Sequence, residues 1–198
     1  MAVTRLTRAE LPEDTTELAR FLIGKIVVRD LTEGRMTGRI VETEAYLHGD
    51  AAAHSFRGET PRNRSLFRER GHVYVYVSYG IHRMLNVSGG VQGIGSGVLI
   101  RAVEPLEGID LMRLRRGLTA LTDLARGPGR LAQAMEITLG LDGVDLTADG
   151  PIWLGRDGKP APDIGISIRI GITKEAERPL RFYERGSKFV SGRKLLNP

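Results

Sequence analysis

The chain has no cysteine, one tryptophan and only five lysines among 198 residues. Without cysteine it can form neither disulfides nor thiolate metal sites, which suits a reducing compartment. No apolar run approaches the roughly 18 residues that a membrane-spanning helix needs, and the opening "MAVTRLTRAELPED" lacks the apolar core of an export signal. The expectation is a soluble, cytoplasmic protein without a membrane partner, nucleoid-associated if bacterial. The sequons at Asn63 and Asn86 then mean little. No HExxH, G-x-S-x-G or zinc pattern occurs, so metal-dependent and serine-hydrolase chemistries have no motif behind them. Gly89, Gly90, Gly93, Gly95 and Gly97 miss the G-x-G-x-x-G spacing and lead into a strand, which favours a hairpin connection over a phosphate cradle. Asp142, Asp145 and Asp149, scattered among glycines, read as turn residues and not as metal ligands.

A hydrophobic fraction of 41% against 27% charged residues fits a globular chain, long enough for one domain over residues 1–198 with a substantial core. The net charge is +5, with a pI near 9.8. Five arginines face two glutamates between Arg57 and Arg70, and six basic residues face Glu184 alone between Arg178 and Lys194. Such runs suit a polyanionic partner, nucleic acid above all. Of the 29 basic residues 24 are arginine, which fits bidentate phosphate contacts but equally the codon bias of a GC-rich genome.

"DTTELARFLIG" predicts a helix with Asp14 and Glu17 as a capping-box pair and Gly24 as the stop. Strands are expected in "KIVVRD", "TGRIVETEAYL", "HVYVYVSY", "RMLNVS" and "GVLIRAVEPL". Helical patterns follow at "GIDLMRLRRG" and "GRLAQAMEITLG", then strands near "PIWLG", "ISIRIGI" and "LRFYERG". "RDGKPAPDIG" reads as a surface loop, and "RGPGRLAQAM" as a helix start that could hold a phosphate. Strands, helices and strands again predict an α+β fold with a mixed, largely antiparallel sheet and surrounding helices.

Four of the five tyrosines and all four histidines fall between Tyr46 and His82. In "IVETEAY", strand alternation sets Glu42, Glu44 and Tyr46 on one face and Val41, Thr43 and Ala45 on the other. Two carboxylates and a phenol make either a solvated sheet face or a site. A second strand brings Tyr74 and Tyr76 to one face, and a third carries Arg101 within the apolar "GVLIRAV". An arginine in such a run needs a partner, and a carboxylate on a neighbouring strand is the natural one.

At this point "RIVETEAY", "AAHS", "TPRN", "YVYVSYGIHRMLNV", "VLIRAVEPLEG", "GPGRLAQA" and "RPLRFYERGSKFVS" together resemble the alkyladenine (3-methyladenine) DNA glycosylases, from about Leu18 to Ser191. The resemblance implies a single α+β domain around a curved sheet, acting on double-stranded DNA as a monomer with no metal and no organic cofactor. By it, Glu44 is expected to activate the attacking water and Arg101 to help hold that water. Tyr46, His54 and Tyr76 are expected around the extruded base, with Asn86 and Leu99 shaping the pocket floor. Tyr79 is expected to wedge into the duplex, with Thr60, Arg62 and Arg64 as further DNA contacts. A backbone carbonyl near Ile170 to Ile172 should complete the water site. Two departures from eukaryotic members stand out: the N-terminal tail is short, and "GITKEAERPL" is shorter than its counterpart. The competing readings are a helix-hairpin-helix glycosylase, suggested by "GPGRLAQA" with Asp145, and a non-catalytic nucleic-acid-binding domain in which Glu44 is structural.

Overall fold

The alternating segments pair into one sheet of nine strands. The computed structural model describes residues 2–192 and 196–197, so Arg193 and Lys194 of the second basic run lie outside the described residues. The strands are β1 (Thr4–Arg5), β2 (Ile26–Leu31), β3 (Gly34–Tyr46), β4 (Val73–Ser78), β5 (His82–Ser88), β6 (Gly97–Glu107), β7 (Ile152–Arg156), β8 (Ile164–Ser167) and β9 (Arg181–Glu184). The helices are α1 (Thr15–Leu22), α2 (Ile109–Arg116) and α3 (Pro128–Ala134). Along its main path the sheet runs β1-β7-β2-β3-β6-β5-β4, with β9 pairing β3 and β8. Every strand pairing among the described residues is antiparallel. The fold is therefore α+β with an open sheet. Residues 89–96 form the expected hairpin connection between β5 and β6.

Side-chain chemistry sets the helix ends. Asp14 accepts the Glu17 N–H at 2.9 Å and starts α1. The Glu17 carboxylate turns to Arg20 instead of returning to Asp14, so the expected box is only half made. A complete box forms nearby, between Thr7 and Glu10 on a short 3-10 turn. α1 buries Leu18, Ala19 and Leu22 in the main core with Ile40, Ala45, Ile100 and Phe182 of the sheet and Leu131 of α3. Each leucine or isoleucine so buried contributes about 1.5–3 kcal/mol. α3 is shorter than the pattern to Gly140 predicts. Glu136 takes a left-handed conformation, φ 52°, and the Ile137 N–H returns to the Ala132 carbonyl. The reversal brings both Met135 and Ile137 into the core.

The long strand β3 carries the site. Its first half lies between β2 and β6, and at Glu42 to Glu44 β9 replaces β2 as neighbour. Register with β6 slips at this junction: Ile40 faces Val103, Glu42 faces Ala102, and Thr43 faces Ile100. At this junction Val41 and Arg101 are each left without a register partner, inserted in their own strands. The consequence corrects the simple alternation. Thr43 and Ala45 do face the helical side, where the Thr43 hydroxyl donates to the Ala19 carbonyl. Val41 does not join them; it packs with Ala102, Tyr183, Phe189 and Val190 in a separate cluster. The expected strand "ISIRIGI" is also cut short, since β8 ends at Ser167 and residues 168–172 leave the sheet.

Candidate active site

The paired inserts bring two carboxylates and two guanidinium groups together beneath the sheet surface. Glu42 and Glu44 are fully buried. Arg101 donates through Nε to Glu42 at 2.9 Å and lies 3.2 Å from Glu44 through Nη1. The pairing expected for an arginine in an apolar run is present, with two partners instead of one. Glu42 also accepts from Arg181 Nε at 2.7 Å and from the Ser191 N–H at 2.7 Å. Arg181, itself fully buried, continues to Ser167 and Asn197.

These partners divide the carboxylates. Burial alone would raise the Glu42 pKa, but Arg101 and Arg181, with Ser191, outweigh it and hold Glu42 below the ordinary carboxylate value. For Glu44 burial wins and its pKa lies above the ordinary value, although Arg101, the Ile170 N–H and the Tyr46 hydroxyl offset part of the rise. Glu44 accepts from that N–H at 2.7 Å and from that hydroxyl at 2.9 Å. Segment 170–172 therefore reaches Glu44 through an amide donor, the Ile170 N–H.

Tyr46 connects Glu44 to a cavity of about 190 Å3 lined by residues including His54, Tyr74, Tyr76, Asn86 and Ile172. The row Glu44, Leu99, Asn86, Tyr74 runs in register across β3, β6, β5 and β4. Neighbours in register share a face of a sheet, so the cavity sits on the carboxylate side. Leu99 occupies this row but does not line the cavity wall. The Asn86 side chain donates to the Tyr74 and Met84 carbonyls, each at 3.2 Å. Tyr74 and Tyr76 do share a face, with ring centroids 5.6 Å apart, and His54 meets Tyr76 at 4.3 Å. Desolvation, and secondarily Arg62, lower the His54 pKa and so favour the neutral imidazole.

Tyr79 stands apart from the cavity lining, at the tip of the β4–β5 hairpin, 90% exposed. Its φ of 50° is left-handed, and Gly80 follows at 71°, where the missing Cβ makes the turn tolerable. Ile81 is exposed beside it. Thr60 and Arg62 lie on an exposed loop, and Arg64, also exposed, opens the short 3-10 turn Arg64–Phe67 that follows it. Among the described residues, Arg57, Arg62 and Arg64 form no ion pair. Arg68 instead donates to the Gly143 carbonyl and Arg70 pairs with Glu13. In the second basic run Arg181 is buried, whereas Arg178 pairs with Glu175 and Arg185 with Asp163 near the surface.

Several contributors escaped the sequence reading. Asn63 looked like an idle sequon, yet it is buried and accepts from the N–H and hydroxyl of Thr60 while donating to the His54 and Gly58 carbonyls. It thereby shapes the loop that delivers His54. Tyr74, whose hydroxyl shares a 2.9 Å hydrogen bond with His54 Nδ1, was foreshadowed only by its alternation with Tyr76. Arg181 gave no signal, because its burial depends on the chain after Phe189 folding over it. No cluster of three or more metal-capable side chains exists among the described residues, and no helix there is long and apolar enough to cross a membrane.

The sequence profile of the methylpurine-DNA glycosylase family matches residues 9–188. A Mesorhizobium japonicum protein named "Putative 3-methyladenine DNA glycosylase" is 65% identical over 191 residues, covering 96% of this chain and 92% of that protein. Proteins of the same name from Paraburkholderia phytofirmans and Methanoculleus marisnigri are 50% and 47% identical. These alignments cover 99% and 95% of this chain, and 92% and 99% of the relatives.

Proposed function

The chain belongs to the methylpurine-DNA glycosylase family, and from that premise we propose that it turns an alkylated purine such as 3-methyladenine out of duplex DNA and hydrolyses its bond to the sugar with a water activated by Glu44. A DNA glycosylase is a hydrolase of N-glycosyl bonds, and it leaves an abasic site behind. A purine stacked inside a duplex is out of reach, and extruding it costs a few kcal/mol. Stacking on aromatic rings recovers about 1–3 kcal/mol per base. Tyr46, Tyr76 and His54 supply those rings along the cavity, while Tyr79 at its hairpin tip fills the place the base has left.

A purine alkylated at N3 or N7 carries positive charge. Tyrosine faces attract such a cation by about 0.5–2 kcal/mol. The same charge makes the base a good leaving group, so no acid catalyst is needed for it. Glu44 orients or deprotonates water for attack at C1′ and stabilises the oxocarbenium-like transition state. A general base works best with a pKa near the working pH, and burial moves Glu44 in that direction. Arg101 limits the rise and keeps the anion available.

The observation that carries this reading is the fully buried Glu44, hydrogen-bonded to a tyrosine of the cavity wall. The test is base release from a methylated duplex, followed by chromatography. Free methylated purine with an abasic strand supports it; tight binding without release refutes it and leaves a non-catalytic DNA-binding domain.

A further inference from the structure

Behind Tyr46 lies an ion pair that the chemistry above does not use. Arg169 and Asp50 are both completely buried and joined through Nη1 and Oδ2. Arg169 also donates to the Ala45 carbonyl, between Glu44 and Tyr46, and to the Glu175 carbonyl. Its guanidinium lies 4.7 Å from the Tyr46 ring centroid, and its Nε is buried without a hydrogen-bond partner. Asp50 accepts the Ala52 N–H at 2.9 Å and so also shapes the turn that leads to Ala53 and His54. The pair joins two walls of the cavity, 52–55 and 171–172, although neither Arg169 nor Asp50 lines it.

Such a pair is a poor choice for stability alone, because desolvating two charges offsets most of their attraction. Its position gives another reason. A cation against one face of Tyr46 opposes the binding of a second cation at the ring's other face. The ring attracts a cationic base only if the guanidinium behind it is neutralised.

We propose that Asp50 and Arg169 are positioning residues that set the charge preference of the cavity: Asp50 cancels the Arg169 cation behind Tyr46, and this lets the ring accept a positively charged alkylpurine. The proposal rests on the glycosylase reading above. Asp50→Asn preserves the side-chain shape and its acceptor for Ala52 but leaves the Arg169 charge uncompensated. Arg169→Gln leaves the opposite charge, and the double variant leaves neither.

The measurement is the affinity of each protein for two duplexes. One carries 3-methyladenine, cationic, on a 2′-fluorinated sugar that slows its release. The other carries 3-methyl-3-deazaadenine, its neutral isostere. Asp50→Asn should lower the cationic-to-neutral affinity ratio roughly thirty-fold, the order expected for unit charges about 8 Å apart at an effective dielectric near 20. Arg169→Gln should raise the ratio, and the double variant should return it to near the wild-type value. A loss of packing alone weakens both duplexes equally and leaves the ratio unmoved. Unmoved ratios, or single variants shifting the ratio the same way, overturn the proposal. Should one single variant fail to fold, the other together with the double variant decides by the same criterion. If the wild type releases no base from methylated DNA, the glycosylase reading falls and this inference with it. Release with unmoved ratios overturns the inference alone.

Discussion

Replacing Glu44 by glutamine separates chemistry from architecture. The amide retains a carbonyl acceptor and nearly the same shape but cannot take a proton. In the folded protein three donors converge on this carboxylate: the Ile170 N–H, the Tyr46 hydroxyl and Arg101. An amide nitrogen in place of one oxygen leaves a donor without its acceptor, which costs about 1–3 kcal/mol. Opposing this, the burial penalty that raises the Glu44 pKa vanishes with the charge. Arg101 keeps Glu42, so it is not left as an unpaired buried cation. The variant should fold. Its single-turnover release of 3-methyladenine should drop by roughly 100-fold or more, equal to about 2.7 kcal/mol of lost transition-state stabilisation, while lesion affinity changes little. The pH dependence adds a second signature. Because the folded-state pKa is raised above the ordinary 4.5, ionised Glu44 subtracts stability above that raised pKa, and the penalty fades as pH falls toward 4.5. In urea titrations at several pH values, acidification should therefore shift the stability difference in favour of the wild type. The wild-type rate on cationic lesions should decline toward acid as Glu44 protonates through the same raised pKa, and the residual rate of the variant should lack that limb. A folded Glu44→Gln protein with near wild-type single-turnover rates would refute the mechanism. Joint loss of folding and binding would instead assign the carboxylate a structural role.

Three other perturbations address the parts around it. Tyr79→Ser should weaken binding to damaged and undamaged duplex alike, whereas Tyr46→Ala should reduce discrimination between them; identical effects in a fluorescence-anisotropy titration would sink this division of labour. Asn63→Ala removes four hydrogen bonds from the loop bearing His54, so stability should fall by about 1–3 kcal/mol and limited proteolysis should cut within 56–62, a site that stays resistant if the loop is held otherwise. For the exposed Arg62 and Arg64, alanine should each reduce the slope of log affinity against log salt by about one; an unchanged slope would remove them from the phosphate contacts.

The parts of this fold that were legible in the sequence are those governed by local rules. Alternation marks β4, an apolar run marks β6, the Asp14 cap marks α1, and Gly108 and Gly117 bracket α2 in left-handed conformations. The failures are non-local. Nothing near Val41 announces that it will turn to the Glu42 side, because the insert is defined by a matching one at Arg101 on another strand. "ISIRIGI" has the isoleucine alternation of a strand, yet the buried Arg169–Asp50 pair and the Ile170 contact with Glu44 draw residues 168–172 out of the sheet. Glu44, Tyr46, Tyr74 and Tyr76 could be selected as a group from their alternation. The environment that distinguishes Glu44 from Glu42 could not, because Arg181 and Ser191 come from the far end of the sequence.

That distance has a meaning for synthesis. Strand β3 is made early, but the Ile170 amide that touches Glu44 follows 126 residues later, and the Ser191 amide that touches Glu42 is 149 residues on. At translation speeds of about 5–20 residues per second, roughly 6–25 s separate Glu44 from Ile170. Throughout that interval the nascent carboxylates remain outside the buried setting that raises one pKa and lowers the other. A polypeptide released by a stalled ribosome before Ile170 would possess the aromatic hairpin and both glutamates but not the surroundings that tell the glutamates apart. The fold thus makes the contrast between the two carboxylates depend on segments that follow them by more than a hundred residues.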